Sequence, residues 1–136
     1  MVHALEKIHA LLEPGGTLIN IQPDGELDEF YALLNAGEQF IGYLLEKDDY
    51  IEYFQAKDAI QTVIAMGLFQ SEKVAAFVFC DHADSFNEMK TFLEENWSDA
   101  IITDEVIASA KNLEDKHGVY KTILRVKVML NLLRSI

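Results

Sequence analysis

The segment 11–21 constrains the fold most, because it predicts a helix end, a tight turn and a strand in immediate succession. Leucines at helical spacing lead into Pro14, which has no amide hydrogen to donate. Gly15 and Gly16 follow, and glycine permits the positive φ at which many helices end. Residues 17–21 are then apolar on both faces, which is typical of a strand covered on both sides. The segment therefore predicts a helix that turns directly into a buried strand.

Helices and strands are interspersed along the rest of the sequence without a regular alternation. This order predicts an α+β fold in which helices pack on a mixed β-sheet that contains antiparallel pairs. No repeat, low-complexity tract or linker interrupts the sequence, so we expect one domain over residues 1–136. The predicted helices cover 2–12, 27–34, 56–66, 85–97 and 103–118, and the predicted strands cover 17–21, 73–81 and 124–132, with a β-hairpin over 40–54.

Residues 73–81 form the strongest predicted strand. Val74 and Cys80 lie on one face of such a strand, and Phe77 and Phe79 lie on the other. Because both faces are apolar, the pattern predicts a central strand of the sheet, buried on both sides.

The last predicted strand, 124–132, has a different pattern. Leucine and valine occupy every second position, whereas Arg125, Lys127 and Asn131 share the other face. This period of two predicts a long strand with one buried face and one exposed face.

Composition excludes several classes of function. The chain carries a formal net charge of −12, which disfavours a surface that binds nucleic-acid phosphates or an anionic membrane. Cys80 is the single cysteine, so neither an internal disulfide nor a multi-cysteine zinc site is expected. No apolar run reaches the ~18 residues of a membrane span, and the first twelve residues do not have the pattern of a signal peptide. We therefore expect an acidic, cytoplasmic protein that binds neither nucleic acid nor membrane.

Residues 4–21, with the sequence ALEKIHALLEPGGTLINI, resemble the helix and fifth strand in the middle of class I S-adenosylmethionine-dependent methyltransferases. The order that follows is also similar, with a helix over 56–66, a strand over 73–81, further helices and a closing strand. In that family the closing strand is antiparallel and inserts into the sheet. The resemblance implies the C-terminal half of a methyltransferase fold, which is Rossmann-like.

The resemblance carries over no cofactor-binding residue. In the family, a Gly-rich turn after the first strand holds the cofactor, and a carboxylate at the end of the second strand binds its ribose. Gly15 and Gly16 follow a helix and precede a strand, which is the reverse order, and only ten residues precede Leu11. We therefore expect no cofactor and no catalytic or cofactor-binding residue. Half a sheet would also leave an apolar edge and face exposed, and residues 17–21 and 73–81 are too apolar to meet water. We therefore predict a homodimer that buries this surface, with a disrupted fold that hides it internally as the alternative.

Cys80, Asp81 and His82, with Asp84 nearby, form the one cluster suited to nucleophilic or metal chemistry. On a strand, Cys80 and His82 share a face, and Asp81 lies on the opposite one. Cys80 also continues the apolar row that begins at Val74. We therefore interpret it as a buried structural cysteine, with catalysis and metal or redox use as alternatives.

The other candidate ligands are interpreted as structural. His3 and His9 are six residues apart, which is not the spacing of a helical metal pair, so both are expected at the surface. His117 suits a helix C-terminus, and Trp97 is expected to pack at a helix end. No calcium-type acidic loop occurs, and no metal site is predicted. The paired carboxylates are expected on solvated faces or at helix starts, namely Asp48 and Asp49, Glu94 and Glu95, and Asp104 and Glu105.

Together these patterns indicate a non-catalytic, self-associating, methyltransferase-like protein, with a protein or small-molecule partner left open. One alternative is half of a split methyltransferase, completed by another chain that carries the Gly-rich turn. A second alternative is a hydrolase or redox protein that uses Cys80.

Overall fold

The computed structural model describes residues 1–136. They form an α+β fold of four helices and six strands, which confirms the predicted class. The helices are α1 (Val2–Leu11), α2 (Ile51–Ala65), α3 (Phe86–Asn96) and α4 (Asp104–His117), and the strands are β1 (Thr17–Pro23), β2 (Asp28–Leu34), β3 (Gly37–Glu46), β4 (Phe69–Ala83), β5 (Ala100–Ile101) and β6 (Lys121–Ser135).

The strands pair in the order β1-β6-β2-β3-β5, and β4 also pairs with β6. The β1–β6, β2–β6, β2–β3 and β3–β5 pairings are all antiparallel, so the prediction of a mixed sheet is wrong for these four pairs. For β2 and β3 the reason is their short connection through Asn35 and Ala36. Parallel neighbours need a crossover of about a dozen residues or more.

The chain divides into two compact units. Unit 1 comprises Met1–Glu26, Tyr50–Phe77 and Lys127–Ile136, and unit 2 comprises Leu27–Asp49 and Val78–Val126. Each unit is assembled from separate segments, and β4 and β6 contribute residues to both. The sequence gives no sign of this division, because no linker marks it.

In unit 1, α1 packs against α2 over an apolar core. The predicted turn after α1 is confirmed: Gly15 has a φ of +81°, where glycine is favoured. The Gly15 N–H donates to the Ser135 carbonyl, and the Ser135 N–H donates to the Gly16 carbonyl, so the turn is bonded to the end of β6. The buried core residues are Leu5, Ala59, Ile60, Val63, Phe69 and Leu133.

In unit 2, α3 and α4 pack on strands β2, β3 and β6. Both helices begin where the sequence predicts. The Ser85 hydroxyl accepts a bond from the Glu88 N–H at 3.0 Å, and the Thr103 hydroxyl accepts one from the Val106 N–H at 3.3 Å. A Cβ at Gly42 would lie 2.6 Å from a Val106 methyl, so α4 lies directly on β3. The buried core residues are Phe30, Ala32, Ile41, Leu44, Phe86, Met89, Leu93, Val106, Ala110, Leu113, Tyr120 and Leu124.

The predicted helix over 27–34 is wrong, because these residues form β2. Asp28, Phe30 and Ala32 are all buried, at a spacing of two residues. Phe30 and Ala32 enter the core of unit 2, so the period of two decides the structure here rather than the weaker helical spacing.

The predicted hairpin over 40–54 is half right. Its first part is β3, which pairs with β2 and β5. The chain then turns through Asp49 and Tyr50, both with positive φ, and α2 begins at Ile51. The aromatic residues after the turn therefore belong to the first turn of a helix that extends the one predicted over 56–66.

The prediction that 73–81 is a buried central strand is wrong in its burial. The residues do form a strand, β4, but it pairs with β6 alone. Only Phe69 of this strand is fully buried, and the side chains from Val74 to Phe79 are largely exposed. The apolar pattern indicates that the side chains of this segment must be shielded from water. It does not identify which surface shields them.

The predicted final strand is confirmed as β6 and is longer than expected. It pairs with β1 through residues 128–134, with β2 through residues 121–125, and with β4. Asn131 is buried, although the alternation places it on an exposed face. With three neighbours, β6 takes the central place in the sheet that the sequence pattern assigns to β4.

Candidate functional site

One edge of β4 has no partner. A strand has two edges, and β6 is the only strand that pairs with β4. No turn, loop or helix of the chain makes a backbone hydrogen bond to residues 69–83. The free edge therefore presents a row of N–H and C=O groups to which a further strand can bond.

The side chains along this edge are exposed on both faces of the strand. Val74 is 59 % exposed, Phe77 44 %, Val78 52 % and Phe79 52 %. A Phe side chain buries about 150–250 Å² when covered, so each of the two leaves roughly 100 Å² open. Single exposed apolar residues are common, but four of them within six residues of one strand form a patch typical of interaction sites.

The middle of β4 carries none of the features that normally protect an edge strand. Residues 74–80 contain no charge, no glycine and no proline. The nearest charged side chains in the strand lie on either side, with Glu72 and Lys73 before this segment and Asp81 after it. Natural edge strands place charges or proline along the edge to prevent pairing. The free edge of β4 is therefore competent for pairing over seven consecutive residues.

In unit 1, an ion pair fixes the first part of β4 to β6. The guanidinium of Arg134 bonds to both carboxylate oxygens of Glu72 and donates to the Gly15 carbonyl at 2.9 Å. Hydrogen bonding to Arg134 lowers the pKa of Glu72, and the same contact raises the pKa of Arg134. This pairing orders the backbone next to the apolar segment without covering it.

In unit 2, Arg125 of β6 connects several polar groups. Its guanidinium pairs with Glu38 and lies over the Tyr31 ring, 4.4 Å from the centroid. Glu38 raises the pKa of Arg125, and Cys80 adds a smaller effect in the same direction. Cys80 therefore lies beside a permanently charged guanidinium.

An aromatic row crosses the same sheet in unit 2. The Tyr31 and Phe40 rings are 5.6 Å apart, and the Phe40 and Tyr43 rings are 5.0 Å apart, both in edge-to-face geometry. The Tyr31 hydroxyl donates to Glu29 at 2.8 Å, and this carboxylate raises the pKa of Tyr31. Phe40 and Tyr43 are exposed, so the row adds to the apolar surface of unit 2.

The predicted cysteine cluster is only partly as expected. Cys80 is half-buried rather than buried, because the row that it continues from Val74 is exposed. Asp81 and His82 line a cavity of about 160 Å³ together with Glu88. No group of three or more His, Cys, Asp or Glu side chains is arranged to hold a metal ion. Hydrolase or redox use of Cys80 stays a prediction.

The histidines occupy different environments. His3 is exposed, as predicted, and its ring nitrogen lies 3.4 Å from the Glu6 carboxylate. His9 is not a simple surface residue: its ring packs edge-on against Phe69 at 5.3 Å, and its Nε2 lies 3.2 Å from a backbone carbonyl at the C-terminus. His117 is in the last turn of α4, as the sequence predicts.

The acidic pairs and the tryptophan mostly follow the sequence interpretation. Asp104 and Glu105 occupy the first turn of α4, where carboxylates interact favourably with the helix dipole. Glu94 pairs with Lys90 on the surface of α3. Trp97 packs against the core of unit 2 at the end of α3, which confirms its structural role.

Two buried carboxylates in unit 2, Asp28 and Glu46, were not singled out from the sequence. Both have interaction partners. Asp28 faces Leu44 across the β2–β3 pair, and Glu46 follows Leu44 by two residues. The alternation along β3 was the signal that Glu46 shares a face with the buried Leu44.

The edge of β1 in unit 1 is a second free edge, because β1 pairs with β6 alone. Ile19 and Ile21, on one face of this strand, are both 58 % exposed. The prediction that residues 17–21 are covered on both sides is therefore wrong. The strand β1 has seven residues, compared with fifteen in β4, and it ends in Pro23.

No protein-family model, curated protein or solved structure matches this chain. None of the four helices combines the length and the apolar character that a bilayer crossing requires. The function must therefore be inferred from the chain's own geometry, and the free edge of β4 is its most distinctive surface.

Proposed function

We propose that this protein functions by self-association, as a homodimer in which the free edge of β4 is covered by a second copy of the chain. The observation that carries the proposal is the uncharged, exposed edge over residues 74–80. Strand addition to such an edge gains a row of backbone hydrogen bonds and removes the flanking side chains from water. This role requires no reactive side chain in a cleft.

The size of the patch agrees with such an interface. A standard interface buries about 800 Å² on each partner. The exposed fractions of the four apolar side chains of β4 amount to roughly half of this area, and the paired backbone and flanking residues would add to it. A water-exposed apolar strand of this length is also an aggregation hazard, which a closed two-fold pairing removes.

The methyltransferase resemblance remains part of the proposal, and two features of unit 1 support it. The order α1, Pro-Gly-Gly turn and β1 follows the family's pattern. The closing strand β6 is antiparallel to β1 and also pairs with β4, as an inserted closing strand would. We therefore propose a methyltransferase-like chain whose role is assembly.

Light scattering on two matched variants tests the proposal. Phe79→Asp places a charge on the β4 edge, and Ile21→Asp places the same charge at a similarly exposed position on β1. We expect the wild type and Ile21→Asp to have twice the chain mass of 15.4 kDa, and Phe79→Asp to have the single mass. A wild type that is monomeric at micromolar concentration contradicts the proposal.

A second candidate function is favoured by the free edge of β1. In this interpretation the chain is one half of an S-adenosylmethionine-dependent methyltransferase, and the missing strands of another chain pair along β1 beside Ile19 and Ile21. Those strands would bring the Gly-rich turn that this segment does not contain.

Calorimetric titration with S-adenosylmethionine separates the two candidates. A mixture of this chain with a Gly-rich partner chain encoded beside it should bind the cofactor stoichiometrically. Ile21→Asp should abolish this binding, whereas Phe79→Asp should retain it. If the mixture takes up no cofactor, the split-enzyme candidate is excluded, and the homodimer proposal is unaffected.

A further inference from the structure

We propose that two copies pair antiparallel through β4 about a two-fold axis at Phe77, so that Lys73 of each copy lies opposite Asp81 of the other. This inference rests on the proposed homodimer and specifies its register. It follows from the sequence of β4 combined with the constraint that two-fold symmetry places on a strand pair.

The symmetry constraint is simple. A two-fold axis perpendicular to the sheet pairs each residue with the one at the same distance beyond the axis, and it keeps every side chain on its own face. Residues that face each other across the interface must therefore be an even number of positions apart in the sequence. Each choice of central residue along β4 gives one complete set of opposing pairs.

With Phe77 at the axis, the opposing pairs are complementary in charge. Lys73 faces Asp81, and this pair of opposite charges occurs twice in the dimer, while Glu72, which is already paired with Arg134 of its own chain, faces His82. Neither Lys73 nor Asp81 forms an ion pair within its own chain. Opposite charges directly across an antiparallel pair are stabilising, and like charges are not.

The same register is complementary in size. Ala75 faces Phe79, so the exposed Phe79 of each copy lies over a small side chain of the other copy. Val74 faces Cys80, and the two Phe77 side chains meet at the axis. The whole uncharged segment 74–80 is then matched with itself, and no charged residue lies opposite an apolar one.

Neighbouring registers lose this match. An axis at Ala76 places Lys73 opposite Phe79 and Glu72 opposite Cys80. An axis at Val78 places Asp81 opposite Ala75. Both leave charges against apolar side chains, so the sequence selects the axis at Phe77.

Disulfide trapping tests the register directly. Val74→Cys should form an intermolecular disulfide with the native Cys80 of the second copy, because directly opposed strand residues lie within the ~4.4–6.8 Å Cα separation that a disulfide spans. The matched control, Val74→Cys combined with Cys80→Ser, keeps the new thiol but removes its partner. The wild type is a second control, since its two Cys80 residues would lie about 20 Å apart.

The outcomes separate the register from the dimer itself. Covalent dimers of Val74→Cys, with none from the control or the wild type, support the proposed axis. A non-covalent dimer by light scattering without cross-linking of Val74→Cys overturns the register and leaves the homodimer standing. A monomeric wild type overturns both.

Charge reversal gives a second readout that does not depend on cysteine chemistry. Lys73→Glu places like charges opposite each other twice, so we expect the dissociation constant of the dimer to rise roughly tenfold. Lys73→Asp combined with Asp81→Lys reverses both charges and should restore the dissociation constant to within about threefold. Equal weakening by the single and the double variant contradicts the proposed pairing.

Discussion

The strands β4 and β6 have the same length, fifteen residues each, and both are rich in apolar side chains, but their environments are opposite. β6 pairs with three strands and buries residues along its whole length, whereas β4 pairs with one strand and buries only Phe69. The more continuous apolar pattern belongs to the exposed strand. The comparison teaches that an apolar strand pattern indicates side chains that must be shielded from water. The surface that shields them can belong to another chain.

A buried leucine of β6 gives the largest expected effect. Leu133 is 0 % exposed in the core of unit 1, so Leu133→Ala should lower the free energy of unfolding by about 2–5 kcal/mol. Urea denaturation measures this, with the Phe79→Asp background used throughout to remove dimer dissociation from the comparison. A loss below about 1 kcal/mol would show that β6 is not the structural centre of unit 1.

A matched pair of valines compares the two strands directly. Val128 on β6 is 8 % exposed, and Val78 on β4 is 52 % exposed. Val128→Ala should cost about 1–2 kcal/mol, and Val78→Ala less than about 0.5 kcal/mol, in urea denaturation of the monomeric background. Equal losses at the two positions would mean that β4 is covered within the chain itself.

Tyr120 stabilises the start of β6 through a contact that β4 lacks. Its hydroxyl donates to the Ala110 carbonyl at 2.8 Å, and burial raises the pKa of Tyr120 to about 12 from the ordinary 10.0. The folded state therefore holds this proton more tightly, so its contribution is complete below pH 10 and is lost as the pH rises through 12. Tyr120→Phe should cost about 1 kcal/mol at neutral pH.

The pH dependence supplies the control for this prediction. The difference in unfolding free energy between wild type and Tyr120→Phe should be constant below pH 10 and should shrink toward pH 12. A difference that stays constant over this whole interval would show that the hydroxyl is not protected by the fold.

The smallest expected effect is a gain. Thr122 of β6 is fully buried, and its hydroxyl has no hydrogen-bond partner. Thr122→Val replaces this hydroxyl with a methyl group of similar size, so the unfolding midpoint in urea should rise, by about 0.5–1 kcal/mol in free energy. A lower midpoint would mean that the hydroxyl is satisfied in solution.

Local patterns predicted much of the fold. The Pro-Gly-Gly turn, the capping residues Ser85 and Thr103, and the strands β4 and β6 all follow from interactions within a few residues of each other. The helix predicted over 27–34 failed because short segments with mixed spacing are decided by tertiary packing, here on the core of unit 2.

The pairing of strands that are distant in the sequence could not be predicted from these local patterns. Whether 73–81 lies inside or at the edge of the sheet depends on which strands pair with it, and its own sequence is the same in both cases. The sequence pattern of residues 73–81 therefore predicts an apolar strand that must be covered, but it places that strand at the centre of the sheet rather than at its edge. The homodimer predicted from the same apolar residues remains the proposal that gives them cover.

Hydrogen exchange along β4 tests the central claim most directly. Amides of residues 74–80 that point toward β6 should be protected at every protein concentration, and those on the free edge should become protected only as concentration rises. We predict this concentration dependence for the wild type and its absence in Phe79→Asp. Free-edge amides that exchange rapidly in the wild type at high concentration would contradict the account.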